Sequence, residues 1–300
     1  MKELLSIAER FFPQRAPLPS TSHDTLQQDS WNRVRPHQRR CAAVSGLGIS
    51  IQEDRLSLGS VAAGIAADAL CAACSRNGSA TLVVATGSSQ FEVLAALTAA
   101  PAVPWNRVTV FHLDEYVGLD PEHPASFRRF LRERFIQRLP AKPLAFHELD
   151  GLASDPHAEC DRLAALVPTT AFDVAMIGIG ENAHLAFNDP PADFDTERPY
   201  LVVGLDERCR QQQVGEGWFP SLAAVPTHAI SMSVRRILAT RTIVCSVPDR
   251  RKAEAVAASV EGPVTPAVPA SILQQHANCH LVIDREAASL LRQVDAVTGR

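Results

Sequence analysis

Short apolar runs recur along this chain. Each is followed by a polar or glycine-bearing turn, and most lead on into a helical pattern. The runs are Thr81–Ala85 (T-L-V-V-A), Val108–Leu113, Val174–Ile177, Thr242–Val247 and Cys279–Ile283. Continuous rather than alternating hydrophobicity suits strands buried on both faces. Helical patterns fall over Arg55–Ser75, Phe91–Ala99, Ala125–Arg138, His157–Leu166 and Ala253–Val260, with a further helix expected over Val268–Leu273. Gly48–Ile51 and Ala229–Met232 read as further strands, and Leu201–Gly204 as another apolar run. Such alternation predicts an α/β fold: a doubly wound, mainly parallel, Rossmann-like sheet with helices on both faces. In that architecture ligands gather at the carboxyl edge of the strands, so the turns after the runs are where chemistry is expected.

Residues 1–45 read as an N-terminal extension and residues 46–300 as a single α/β domain. The extension holds a short amphipathic segment ending at Pro13, a Ser/Thr/Gln-rich stretch and a basic cluster at Arg33, Arg35, Arg39 and Arg40. A solvated or subunit-packing arm is the expectation there, without chemistry. The net charge of -4 and pI near 6.2 leave no basic stripe to carry nucleic-acid binding. Seven cysteines spread over the chain do not form a secreted disulfide framework. Cys71 and Cys74 make a C-x-x-C inside an Ala-rich helical stretch, which favours a structural role. The N-terminus lacks a signal-peptide pattern, and no run of about 18 apolar residues is apparent. A cytoplasmic protein without membrane contact is therefore expected, with a homo-oligomer left open.

Four turns hold the candidate chemistry. Thr86-Gly87-Ser88-Ser89 lies between a strand and a helix start, where free N–H groups, hydroxyls and the helix dipole favour an anion. It lacks the G-K-[ST] ending of a Walker loop. Asp114 and Glu115 follow the run Val108–Leu113, and adjacent carboxylates are costly unless solvated or used. The stretch Phe172–Pro190 passes through Gly178 and Gly180, read as a tight turn with close backbone approach, into Asn182, His184, Asn188 and Asp189. Arg250-Arg251-Lys252 puts cations at a helix start, against the dipole, which hints at a facing anion or else a solvated patch. The polar run Asp206–Gly217 either lines a pocket or covers one.

Four of these segments together resemble the glucosamine-6-phosphate deaminase (isomerase) family, which is related to the 6-phosphogluconolactonases. They are T-G-S-S at 86–89, F-H-L-D-E-Y-V-G-L at 111–119, G-I-G-E-N-A-H-L-A-F-N-D-P at 178–190, and V-E-G-P-V-T-P at 260–266 with P-A-S-I-L following. D-E-Y and the A-F-N loop side with the deaminases rather than the lactonases. The resemblance implies conversion of an amino-sugar phosphate to a ketose phosphate and ammonia, without metal or organic cofactor. By that resemblance His184 opens the sugar ring, Asp114 carries a proton between C2 and C1, and Asp189 orients His184. Asn182 positions the sugar or His184. Thr86, Gly87, Ser88 and Lys252 hold the phosphate, and Glu115 is taken with them as a substrate contact.

The chain departs from the family pattern at Asn182, at Asp189, and at Gln213, which lines up where a phosphate-binding Arg is expected. Arg208 and Arg210 are the substitutes considered. No allosteric amino-sugar-phosphate site is recognisable around Thr196–Val203. A lactonase acting on a related phosphosugar, and a non-catalytic phosphosugar sensor, are the alternative readings.

Overall fold

The computed structural model describes residues 46–292. The expected extension 1–45 lies outside them, so that reading stays an expectation. The described chain runs β1 (Leu47–Gln52), α1 (Arg55–Asn77), β2 (Ala80–Val84), α2 (Phe91–Thr98), β3 (Val108–His112), β4 (Asp114–Tyr116), α3 (Phe127–Arg134), β5 (Ala145–His147), α4 (Pro156–Ala164) and β6 (Val174–Ile177). It continues with β7 (Tyr200–Gly204), α5 (Glu207–Gly215), β8 (His228–Met232), α6 (Val234–Leu238), β9 (Thr242–Val247), α7 (Ala253–Glu261) and β10 (Cys279–Asp284).

Seven strands form one sheet in the order β1-β10-β9-β6-β2-β3-β5, and every neighbouring pair is parallel. The chain steps outward from β2 to β3 and β5, then returns to the other side of β2 to place β6. The boundary between β2 and β6 is thus the switch point, where two turns diverge and leave a crevice. The apolar runs are buried on both sides as expected: Leu82, Val83, Val84, Val174, Ala175 and Ile177 have essentially no exposed surface.

Helix α1 shows how local sequence sets these elements. Asp54 and Ser57 form a reciprocal capping box at its start, and Gly78 closes it with φ 79° and an N–H bond to Cys74. Gly59 lets it touch α2, since a Cβ there would lie 2.6 Å from that of Glu92. No continuous apolar run of about 18 residues is present, since Ser57, Ser60 and Asp68 interrupt this helix, but by length and mean composition it is apolar enough to cross a membrane. Its alanines give it that composition. Here it is a core helix, with Leu58, Ala62, Ala66 and Leu70 buried.

One correction concerns β4, β7 and β8. They form a separate antiparallel sheet in the order β4-β8-β7, not part of the parallel one. Asp114 opens β4 opposite Ser231 of β8. The region expected as a helix over Val268–Leu273 is a 3-10 helix, Pro269–Gln275. The polar run after Asp206 folds as α5, capped by the Asp206 carboxylate.

Candidate active site

The carboxyl ends of β9, β6, β2 and β3 open into one cleft, whose empty space is roughly 590 Å³ with the open solvent at its mouth included. Thr86, Gly87 and Ser88 line it from β2, Asp114 from beyond β3, His184 from beyond β6 and Lys252 from beyond β9. Gln212, Gln213 and Glu216 of α5 and its C-terminal end close it from above, and Phe127 and Phe187, stacked at 5.5 Å, form an apolar wall.

The turn after β2 has Gly87 at φ 92°, a left-handed conformation that side chains resist. No side chain caps the short 3-10 turn Ser88–Gln90 or α2 behind it. Arg55 braces this turn: its guanidinium donates to Ser88 O, to Glu92 and to Asp249. Asp249 precedes the 3-10 turn Arg250–Lys252, so one side chain ties the two halves of the anion site together. Lys252 is buried, and burial pushes its ammonium below the ordinary lysine range despite Glu216 and Glu181 nearby. It is the one Lys or Arg among the residues lining the cleft.

His184 is nearly buried, and its Nδ1 lies 3.1 Å from Asp189 Oδ1. In the tautomer whose Nδ1–H donates to this carboxylate, Nε2 is the nitrogen left to meet a substrate. Asp189 also accepts from Asn182 Nδ2 (2.9 Å) and from the Asp206 amide (3.0 Å). Burial raises its carboxyl, but the bonds from His184, Asn182 and Asp206 outweigh this and hold it below the usual carboxylate range. Asn182 serves the loop a second time through its Oδ1, which accepts the His184 amide at 3.2 Å. Gly180 leaves the space in front of the imidazole. A Cβ there would stand 2.2 Å from Nε2 and 2.3 and 2.4 Å from the neighbouring ring carbons. Gly180 makes the expected turn, accepting the Ala183 amide at 3.0 Å, and its close approach is to the His184 ring; the left-handed residues of this loop are Ala183 (φ 65°) and Ala186 (φ 53°).

Asp114 is buried and its Oδ1 has no hydrogen-bond partner. Burial, with Glu115 adding repulsion, pushes its carboxyl up to about 8. One strand fixes Asp114 and the His184 loop together. Ser231, opposite Asp114 in the ladder, accepts the Phe187 amide (3.1 Å) through its hydroxyl, and Asn188 donates to Met232 O (2.8 Å).

Glu115 is corrected as a substrate contact. It does not line the cleft, and its carboxylate accepts from the Tyr116, Phe127 and Arg128 amides and the Ser126 hydroxyl. It fastens the start of α3. Arg208 and Arg210 do not reach the cleft either: Arg208 is exposed, and Arg210 donates to the Leu222 and Val225 carbonyls. Gln213 does line it. The sequence reading assigned nothing to Glu216, Phe127 or Arg55; only the polar density of Asp206–Gly217 pointed toward Glu216.

His184, Asp189 and Cys209 offer donor atoms within 4.8 Å of one another, a spacing that would admit a metal ion. Asp189 already serves three hydrogen-bond donors there, and burial holds the Cys209 thiol far above its ordinary range. The set reads as a hydrogen-bonded support for the imidazole.

Residues 53–282 match the family model described as glucosamine-6-phosphate isomerases/6-phosphogluconolactonase. A glucosamine-6-phosphate deaminase of Exiguobacterium sibiricum is 40% identical over 220 residues, covering 73% of this chain and 84% of that relative. A monomeric glucosamine-6-phosphate deaminase of known structure superposes with a TM-score of 0.74 at 33% identity, over 81% of this chain and 99% of the other. A 6-phosphogluconolactonase from Thermotoga maritima shares the fold, with a TM-score of 0.64 at 15% identity, over 80% of this chain and all of the other.

Proposed function

We propose, from the premise that the chain belongs to the glucosamine-6-phosphate isomerase/6-phosphogluconolactonase family and is an enzyme, that it deaminates an amino-sugar 6-phosphate. The products are fructose 6-phosphate and ammonia. The observation that carries the reading is the pairing, in one cleft, of an imidazole whose Nδ1 is held by Asp189 with a buried Asp114 carboxyl whose Oδ1 has no partner.

His184 Nε2 shuttles a proton between the ring oxygen and the anomeric hydroxyl, opening the ring. Asp189 fixes the tautomer this needs and steadies the imidazolium that forms. Asp114 takes the C2 proton and returns it at C1, the transfer common to aldose–ketose isomerisations. Water then adds at C2, and ammonia leaves from the carbon that becomes the ketone. Thr86, Gly87, Ser88 and Lys252 receive the phosphate, and Asn182 positions His184. Residues 46–300 act as one catalytic domain. The cytoplasm is the proposed location. A homo-oligomer is not required, since a similar deaminase of known structure is described as monomeric.

The test is to incubate the protein with glucosamine 6-phosphate and follow ammonia and fructose 6-phosphate together, with Asp114→Asn alongside. Equal release of both products, lost in the variant, is the expected result. Measurable binding without release would overturn the deaminase reading. Hydrolysis of a sugar-phosphate lactone that survives Asp114→Asn would replace it with the lactonase reading, because lactone hydrolysis removes no C2 proton.

A further inference from the structure

The anion cradle already holds an anion of its own. Glu216, just beyond the end of α5, has a side chain only 6% exposed. Its Oε2 accepts from the Ser88 hydroxyl at 3.1 Å and from Trp218 Nε1 at 3.2 Å. Its Oε1 accepts from Gln212 Nε2 at 2.8 Å and lies 3.8 Å from Lys252 Nζ. Gln212 is in turn fixed, its own oxygen accepting the Glu181 amide at 2.9 Å. Ser88 and Lys252 are two of the groups that the proposed reaction assigns to the phosphate. They are engaged by a carboxylate from this chain, and the lining contributes no second cation, since Gln213 is neutral.

We infer that Glu216 is a specificity-determining residue of the cleft: it occupies the phosphate cradle in the free protein and competes with the substrate's phosphate for Ser88 and Lys252. This rests on the reading that the cleft takes a sugar phosphate. The geometry leaves an incoming phosphate two courses. It displaces the carboxylate, which breaks the bonds from Ser88, Gln212 and Trp218 together, or it binds beside a like charge that one lysine must serve twice. Either course weakens phosphate binding relative to a cradle in which position 216 is neutral. Glu216 therefore sets how tightly a phosphate is held and how readily a phosphorylated product leaves.

The experiment compares Glu216→Gln with the wild type in two assays on the full chain. Inorganic phosphate binding is measured by calorimetry, and ammonia release from glucosamine 6-phosphate gives KM and kcat separately. A glutamine keeps the shape and one acceptor while removing the charge. The expected result is phosphate binding about tenfold tighter and a KM about tenfold lower, the ratio worth roughly 1.4 kcal/mol. Damage to packing alone would lower kcat and thermal stability without tightening anything. Ser88→Ala provides the second arm: it should weaken phosphate binding in the Glu216→Gln background. Unchanged or weaker phosphate binding by a folded Glu216→Gln protein overturns the inference. Tighter phosphate binding without ammonia release from either protein leaves the inference standing and sinks only the deaminase reaction.

Discussion

Replacing Gly180 by alanine isolates the imidazole from the rest of the fold. Gly180 is not in a left-handed conformation, so its backbone accepts an alanine without strain. The added Cβ would stand 2.2 Å from His184 Nε2. The ring must rotate away, because the glycine's backbone is pinned by its bond to His184 O at 3.0 Å. Rotation breaks the 3.1 Å contact with Asp189. Losing a bond to a buried carboxylate costs about 1.5–3 kcal/mol, and the stiffer unfolded chain returns about 0.4–1 kcal/mol. The difference leaves a net cost of about 1–2 kcal/mol, so thermal stability should fall only modestly. Function is a separate matter. A positioned acid–base group contributes on the order of 10²–10⁴ in rate, or about 3–5 kcal/mol of barrier. Gly180→Ala should therefore lose about that factor in kcat, far more than its modest fall in Tm accounts for. It should be no slower when combined with His184→Gln, because both remove the same group. The assay is steady-state ammonia release beside differential scanning fluorimetry. Near wild-type turnover in Gly180→Ala, or losses that multiply in the double variant, would refute the reasoning.

The remaining predictions concern charge. The Asp114 carboxyl sits at about 8, so kcat/KM should rise with pH up to about 8 and level off above it, as a base must be deprotonated; a profile flat across that range would remove Asp114 as the base. Stability moves the other way. The folded protein keeps a proton that the unfolded chain releases near pH 3.9, so this group's contribution falls as pH climbs from about 4 through about 8. Asp114→Asn should gain thermal stability on the wild type across that window, read as a Tm difference that widens with pH. Glu115→Gln should cost about 1–3 kcal/mol of stability, since its four donors include three amides that would lose a charged acceptor; urea denaturation measures it, and an unchanged midpoint would contradict the structural role. Lys252→Met should raise KM for the phosphosugar by about tenfold to a hundredfold, the scale of a charge-assisted bond. An unchanged KM would place the phosphate elsewhere.

The parallel sheet was legible because its central strands carry no polar face: Thr81–Ala85 and Val174–Ile177 permit little except burial between helices. The antiparallel sheet was not, because β4 is three polar-leaning residues whose strand character comes only from pairing with β8. The polar helix α5 was hidden for a similar reason. Its run of charged and amide residues carries no apolar stripe, and burial of Gln213 over the cleft is a tertiary outcome. His184, Asp189 and Asp114 stood out because they follow buried strands at the edge where such folds bind, and the roles expected of them come from the family resemblance. Glu115 was misassigned because adjacency in sequence says nothing about side in a strand: successive residues face opposite ways. Asp114 turns to the cleft and Glu115 turns to α3. Glu216 showed only as one member of the polar run Asp206–Gly217, because its partners, Ser88 and Lys252, are remote in sequence.

Strand β8 deserves to be seen as a machinist would see it. Two parts that must meet a third with sub-ångström fit are best measured from one reference edge, since errors then do not accumulate along the route between them. Asp114 and the His184 loop reach the cleft by long, separate paths through the main sheet. Ser231 and Met232 give both the same reference, one through the ladder to Asp114 and the other through Asn188. Thermal drift of the large sheet would then carry base and imidazole together, and their mutual spacing would answer to two residues of a minor strand.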